Sequence, residues 1–348
     1  MAEEGTRVAK GQTNALAVGM IFSKTQPRKR NLNKFLAQKL TTFTYPEGRQ
    51  LFVTCEGNVL SNTAAKMDDS DHEEADSRMM LHVQHALIQG MNRIKILTID
   101  TVVIIIAFGV YHILRSKYVF NDIVVEFGLK KKHQTISLKA VAESLGEPRC
   151  KALPFFHSFT GSDTTSAFKG IGKIKAYEAL KVHRNVESTL ADFHFNPFQD
   201  LSEDDPKFKV IQRLVVLMYS KTSTLLLVNE ARLDLYFQGA KNSESIPPTS
   251  NALLFHTKRA IFQSGVWSRC LLSKQNLPSP QNYGWKQSDD PLIKWEPLWM
   301  TTKEATKECR EYIKCSCTQP CTRCKCKAAL FRCTLLCSCK CEDKVSYD

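Results

Sequence analysis

The spacing of apolar residues predicts an alternation of helices and strands in the first half of the chain. Helical spacing runs through Asn31–Leu40, and the carboxylates of Asp68–Asp76 open a second helix, as the helix dipole favours. Strands are predicted at Gln50–Cys55 and Ile94–Ile106, and a further helix at Leu138–Leu145. This alternation is typical of an α/β fold in which helices wrap a parallel sheet.

The most apolar run of the chain is Val102–Leu114. It covers about 13 residues, well short of the roughly 20 that a membrane-spanning helix needs. We expect it to form a buried parallel strand that turns at Gly109 and continues as a helix or a second strand. No membrane association is therefore predicted.

Beyond residue 190, Val210–Met218 and Leu225–Leu235 are predicted to be helices or core segments, and Asn251–Trp267 has helical spacing. A connector rich in proline and tryptophan follows. We predict four parts: a basic, partly disordered segment at 1–48, an α/β core at 49–190, a helical extension with its aromatic-rich connector at 191–300, and a cysteine-rich module at 309–341.

The chain is strongly basic, with a formal net charge of +13 and a pI near 9.1. Such an excess favours an anionic partner, and nucleic acid, DNA in particular, is the commonest one. A generally basic soluble protein is the alternative. The N-terminus has no apolar stretch of the signal-peptide kind, which predicts an intracellular protein. Basic runs such as Arg28–Arg30 favour the nucleus over the cytoplasm, although short runs of this kind are commonly just solvated surface.

Three acidic stations follow one another along the predicted core. The first holds Glu74 and Asp76, the second Asp100 and the third Asp163. Carboxylate oxygens are the ligands that Mg²⁺ or Mn²⁺ prefers, and two such ions about 3.5–4 Å apart can clamp the attacking and leaving oxygens of a phosphodiester. The order of the stations therefore suggests metal-dependent phosphodiester chemistry.

Each station also has a structural interpretation. Asp100 could be satisfied by backbone N–H groups where a strand meets a loop, and Asp163 could simply cap a helix. Glu74 and Asp76 could belong to a solvated helix start. On a regular helix, residues two apart point roughly 200° from one another, so this pair converges only if the helix begins irregularly.

Seven residues after Asp163 the chain reads Gly170-Ile171-Gly172-Lys173, with Lys175 close behind. Backbone N–H groups at such a turn and the lysines of the next helix can hold a phosphate of a nucleic-acid backbone. A Gly-x-Gly turn that only caps a helix is the alternative. We predict that Gly170, Gly172, Lys173 and Lys175 contact nucleic acid.

Three segments carry a family resemblance: HEEADSRM, ILTIDTVV and GSDTTSAFKGIGKIKA. Together they resemble the flap-endonuclease type of PIN-like nucleases, and they are similar to a group of transposon-associated animal proteins that share the same motifs. The resemblance covers roughly residues 50 to 190. It implies a PIN-like sheet wrapped by helices, a helix-two-turn-helix element that binds DNA, and Glu74, Asp76, Asp100 and Asp163 as catalytic metal ligands.

The chain departs from that family in two places. Active members carry a second aspartate where this chain has Val102, and they use further acidic residues on an N-terminal strand and helix that residues 1 to 60 do not supply. We therefore expect a nucleic-acid-binding, nuclease-like protein that is degenerate for cleavage. A non-enzymatic DNA-binding or protein-interaction adaptor and an active structure-specific endonuclease are the alternatives.

Nine cysteines lie within 27 residues near the C-terminus. An odd number argues against a closed set of disulfides. Three tetrahedral zinc ions need twelve Zn–S bonds, which nine thiolates supply if three of them bridge. Spacing and count resemble the tesmin-type CXC domain, and a thiol-rich or redox-active tail is the alternative. The predicted zinc ligands of this small module are Cys315, Cys317, Cys321, Cys324, Cys326, Cys333, Cys337, Cys339 and Cys341.

Overall fold

The structure, a computed structural model, describes residues 27–301 apart from 56, 184, 239–244 and 291, together with 315–321, 324, 326, 333, 337–341 and 344. The chain divides into two compact units, the first ending at Pro297 and the second beginning at Leu298. Most of the predicted disordered segment lies outside the described residues.

The first unit is a mixed α/β body, as the sequence predicts at this coarse level. Its elements are, in order, α1 (Pro27–Thr42), β1 (Phe52–Cys55), β2 (Asn58–Ser61), α2 (Ala75–Ile88), β3 (Arg93–Thr98), α3 (Thr101–Lys117), β4 (Asp122–Phe127), β5 (Gln134–Ser137), α4 (Leu138–Leu145), α5 (Glu147–Phe159), α6 (Lys173–Val182), α7 (Val186–Phe195), α8 (Pro206–Tyr219), α9 (Val228–Phe237), α10 (Ser250–Ser268), β6 (Trp285–Gln287) and β7 (Trp295–Pro297).

The described sheets are small. Strands β1 and β2 form a hairpin, and β6 and β7 form another. The central sheet has the order β3-β4-β5, in which β3 and β4 are parallel whereas β5 is antiparallel to β4. The expected parallel sheet is thus limited, among the described residues, to a single parallel pair.

The prediction for the apolar run Val102–Leu114 is wrong. The strand ends at Thr98, and the run forms helix α3, whose N-cap is Asp100. A helix enclosed by others is apolar on most sides, so its sequence has no periodicity that distinguishes it from a buried strand. Helices α2, α4, α5 and α10 all pack against α3, which accounts for its apolar character.

Gly109 is a contact point between helices and not the predicted turn. A Cβ at this position would lie 2.7 Å from Pro154 Cγ and 3.2 Å from His194 Nε2. Pro154 belongs to α5 and His194 to α7, so the missing side chain lets α3 approach both helices. The glycine therefore sets the distance of α3 from α5 and from α7.

We expect Gly109→Ala to destabilise the first unit by about 1–3 kcal/mol, because overpacking at a closed contact outweighs the gain in helix propensity. Urea unfolding measures this change. Gly172→Ala is the matched control, since a Cβ there has no neighbouring atom within 4 Å. Equal stability of both variants would contradict close packing at Gly109.

The hydrophobic core crosses the predicted boundary at residue 190. That boundary lies inside α7, and one buried cluster joins residues from Ala152 to Ile261. A second cluster surrounds α3 and includes Trp267 and Cys270 from the end of α10. Helix α10 therefore contributes to both parts of the core.

No helix among the described residues combines the length and the apolarity that crossing a membrane requires.

Candidate functional site

The first acidic station lies where α2 begins. Glu74 is the N-cap residue and has an extended backbone (φ −89°, ψ 141°), whereas Asp76 stands in the first turn of the helix. Glu74 therefore lies outside the helical backbone, so the separation of roughly 200° between residues two apart on a regular helix does not apply to this pair. Both side chains are partly buried.

The second station, Asp100, caps α3. Its Oδ1 accepts a hydrogen bond of 2.8 Å from the backbone N–H of Val102. Asp100 thus makes the hydrogen bond to a backbone N–H that is expected if its role is structural. This bond fixes the carboxylate at the exposed start of the helix. Val102 stands in the first turn of α3 and not at the end of a strand.

The third station, Asp163, lies in a tight turn between α5 and α6. The backbone N–H of Ser162 donates to Thr165 O at 3.1 Å, and that of Thr165 donates to Ser162 O at 3.2 Å. Gly161 leads into the turn with φ +113°, and a Cβ there would lie 2.9 Å from Ala167 Cβ. Only glycine suits such a close, left-handed position, so Gly161 holds the exposed Asp163 in place.

The structure brings all four carboxylates near one another. Burial, together with the negative charges of Asp100, Glu74 and Asp163, raises the pKa of Asp76 from 3.8 to about 7. Burial likewise raises the pKa of Glu74. In the part of the chain that the structure describes, no lysine, arginine or histidine nitrogen lies within 4.0 Å of these carboxylates. Among the described residues, the cluster thus carries negative charge with no cation in contact.

The cluster is not closed around one ion position. An octahedral Mg²⁺ with ligands at about 2.0–2.1 Å places opposite oxygens about 4.2 Å apart. Among the described residues, no three Asp, Glu or His side chains bring one ligand atom each to within 4.8 Å of one another. A metal would therefore have to draw these carboxylates together.

Two residues that the sequence analysis did not single out contact Glu74. Both belong to α10: Trp267 Nε1 donates to Glu74 Oε2 at 3.1 Å, and Gln263 Nε2 lies 3.4 Å from the same oxygen. These hydrogen bonds oppose the rise in the pKa of Glu74. Gln263 is one of several buried polar residues of α10, so no local sequence signal singles it out.

The predicted phosphate-binding residues have different surroundings. Gly170 and Gly172 are exposed, with open space where a Cβ would stand, and Lys175 is exposed as well. Lys173 instead turns back onto the end of α5, where its Nζ donates to Gly161 O at 2.6 Å and to His157 O at 3.0 Å. Burial lowers the pKa of Lys173 to about 8. Lys173 thus holds the turn that carries Asp163.

His157 lies beside the cluster as a neutral side chain. Burial and the charge of Lys173 together lower its pKa to about 4, although Asp163 opposes the change. Its ring stands edge-on to Trp267, with centroids 6.0 Å apart. His157 therefore contributes packing and no counter-charge at neutral pH.

In the second unit, the cysteines form overlapping groups of four whose sulfurs lie within 4.8 Å of one another. Cys333 belongs to all three groups, and Cys315 and Cys321 belong to two each, whereas Cys317 belongs to none. The sulfurs of Cys315 and Cys321 are 3.5 Å apart, and those of Cys326 and Cys337 are 3.6 Å apart. Zn–S bonds of about 2.3 Å imply about 3.8 Å between sulfurs of a tetrahedral site. The cluster is thus compatible with zinc.

Backbone donors support the same cluster. The N–H of Cys315 points at Cys337 Sγ (3.4 Å) and that of Cys321 at Cys341 Sγ (3.1 Å). Of the basic residues between the cysteines, Lys340 is described and exposed. The others lie outside the described residues: Lys314, Arg323, Lys325, Lys327 and Arg332.

Comparisons of the chain with protein-family models, with curated proteins and with solved structures found no match. The resemblance to PIN-like nucleases and to the tesmin-type CXC domain therefore stays a proposal.

Proposed function

We propose that this chain is a nucleic-acid-binding, nuclease-like protein whose four-carboxylate cluster takes up a divalent cation weakly and cleaves phosphodiesters slowly or not at all. The observation that carries the proposal is the meeting of Glu74, Asp76, Asp100 and Asp163 without a cationic partner among the described residues. Partly buried carboxylates of like charge are costly to hold together unless a cation joins them.

Hard divalent ions suit this donor set. Four carboxylates and no nearby thiol favour Mg²⁺ or Mn²⁺, and such an ion would polarise a phosphate oxygen bound in front of the cluster. Asp100 and Asp163, both exposed, would stand at the side from which a substrate approaches. The open backbone at Gly170 and Gly172, with Lys175 beside it, would accept a neighbouring phosphate.

Two features support weak or absent cleavage. Val102 supplies no carboxylate at the start of α3, where active relatives of the resembled family have one. The cluster is also more open than a bound ion requires. Both features reduce the number of ligands available to a metal pair, and a single loosely held ion stabilises only part of the charge of a transition state.

The cysteine-rich unit is proposed to bind about three zinc ions. Twelve Zn–S bonds from nine thiolates require three bridging thiolates, and Cys315, Cys321 and Cys333 are the cysteines that the groups of four share. With its interleaved lysines and arginines, the unit would bind the DNA backbone. Together with the net charge of +13, this favours a nuclear protein.

The test uses labelled flap, single-stranded and duplex DNA with Mg²⁺ or Mn²⁺, and compares the zinc-loaded protein with Asp163→Ala. We expect both proteins to bind DNA, with an affinity that falls at least about tenfold between 50 and 200 mM salt. We expect slow cleavage at most. Asp289→Ala, which removes an exposed acid outside the cluster, is the control.

Absence of DNA binding at 50 mM salt would overturn the proposal. Rapid metal-dependent cleavage that Asp163→Ala abolishes, and Asp289→Ala leaves intact, would establish the active endonuclease instead. DNA binding that depends only on the zinc unit, and is indifferent to Mg²⁺ and Mn²⁺, would favour the adaptor.

A further inference from the structure

Gln263 joins two of the acidic stations through the two ends of one side-chain amide. Its Oε1 accepts a hydrogen bond of 2.6 Å from the hydroxyl of Thr164, the residue next to Asp163. Its Nε2 faces the carboxylate of Glu74, at 3.4 Å from Oε2 and 3.5 Å from Oε1. The amide thus spans from the α5–α6 turn to the start of α2.

The orientation of this amide is fixed by its contacts. Because the Glu74 carboxylate can only accept, the N–H groups of Nε2 must face it, and the Thr164 hydroxyl donates to Oε1 at the other end. Gln263 is also 6% exposed, so water cannot easily replace either partner. A buried amide with both ends satisfied holds its neighbours at a defined spacing.

The segment before Glu74 is anchored to the chain that follows α10. Asp71 Oδ1 accepts from the backbone N–H of Gln275 at 3.0 Å, and the N–H of Asp71 donates to Ser273 O at 3.1 Å. His72 Nε2 lies 2.6 Å from Leu272 O. Helix α10 and the residues after it therefore hold both the backbone and the carboxylate of the first station.

We propose that Gln263 is a positioning residue that raises the affinity of the carboxylate cluster for a divalent cation, by keeping Glu74 beside the Asp163 turn so that a cation has less far to draw the two together. Gln263 has this role only if the cluster binds such a cation, as proposed above. Residues that orient metal ligands commonly change metal affinity by about 10–100-fold when they are replaced.

The test titrates Mn²⁺ into the zinc-loaded full-length protein and measures free Mn²⁺ by electron paramagnetic resonance. Gln263→Met keeps the length of the side chain and removes both hydrogen bonds, and we expect about tenfold weaker Mn²⁺ binding. Thr164→Val removes only the hydroxyl at the exposed end of the bridge, and we expect a loss of several-fold. Thr164→Ser restores the hydroxyl and should restore the wild-type affinity.

The outcomes separate the two proposals. If the wild-type protein does not bind Mn²⁺, the metal site of the proposed function fails and the role of Gln263 fails with it. If the wild-type protein binds Mn²⁺ and both Gln263→Met and Thr164→Val bind it equally well, only the role of Gln263 is overturned. Equal losses of Mn²⁺ affinity in Thr164→Val and Thr164→Ser would also overturn it. The serine variant keeps the hydroxyl, so the loss would then come from a structural change at residue 164 and not from the broken hydrogen bond.

Discussion

Replacement of Cys333 by serine will release most of the zinc from the C-terminal unit and unfold that unit. Cys333 belongs to all three groups of four sulfurs, so its loss removes a ligand from each of them. Structural zinc contributes on the order of 10 kcal/mol to small domains that lack a large apolar core. The buried residues that the structure describes in this unit are cysteines, so we expect bound zinc to supply much of its stability. Zinc content by atomic emission and circular dichroism measure the effect.

Cys317→Ser is the milder comparison, because Cys317 belongs to none of the three groups and would be a ligand of one ion only. We expect this variant to lose no more than one of the zinc ions. About three zinc ions per wild-type chain would support the proposed stoichiometry. Equal zinc loss from both variants would contradict the grouping of the sulfurs, and a wild-type protein without zinc would favour the thiol-rich or redox-active tail.

Asp76→Asn will stabilise the first unit at pH 8 and weaken its binding of Mn²⁺. At pH 8 the wild-type side chain is ionised among three other carboxylates, and the amide removes that repulsion. We expect a gain of about 1–2 kcal/mol in the free energy of unfolding, after allowing for solvent screening of this partly exposed group. We also expect at least about tenfold weaker Mn²⁺ binding, because one ligand is lost.

The sign of the pH dependence follows from the raised pKa. The folded state holds the proton of Asp76 up to about pH 7, whereas the unfolded state releases it near 3.8. The folded state therefore binds more protons between these values, and wild-type stability falls as the pH rises from about 4 to about 7. The advantage of Asp76→Asn should grow over this window and vanish below it, and urea unfolding at several pH values measures it.

Asp289→Asn makes the same charge change at an exposed acid that is not among the groups raising the pKa of Asp76 or of Glu74. We expect little change in stability or in Mn²⁺ affinity. If Asp76→Asn destabilised the protein at pH 8, or bound Mn²⁺ as tightly as the wild type does, the carboxylate cluster would not be a site of unfavourable charge that a metal relieves.

The sequence alone determined the features that depend on residues close to one another along the chain. The helix Leu138–Leu145 was predicted with the bounds that the structure has, because a polar cap and a glycine delimit it within ten residues. The helices around Val210, Leu225 and Asn251 follow from local apolar spacing in the same way. The cysteine cluster followed from count and spacing, since nine thiols in 27 residues cannot lie far apart.

The tertiary structure decided what depends on distant partners. Val102–Leu114 forms a helix that surrounding helices bury on most sides. Because such a helix is apolar all round, its sequence has no helical periodicity, and a buried strand was predicted instead. Lys173 holds carbonyl groups at the end of α5, although its position after two glycines suggested a phosphate contact. Gln263 meets Glu74 across 189 positions of sequence. No local pattern encodes a contact at that separation, because packing of the whole first unit creates it.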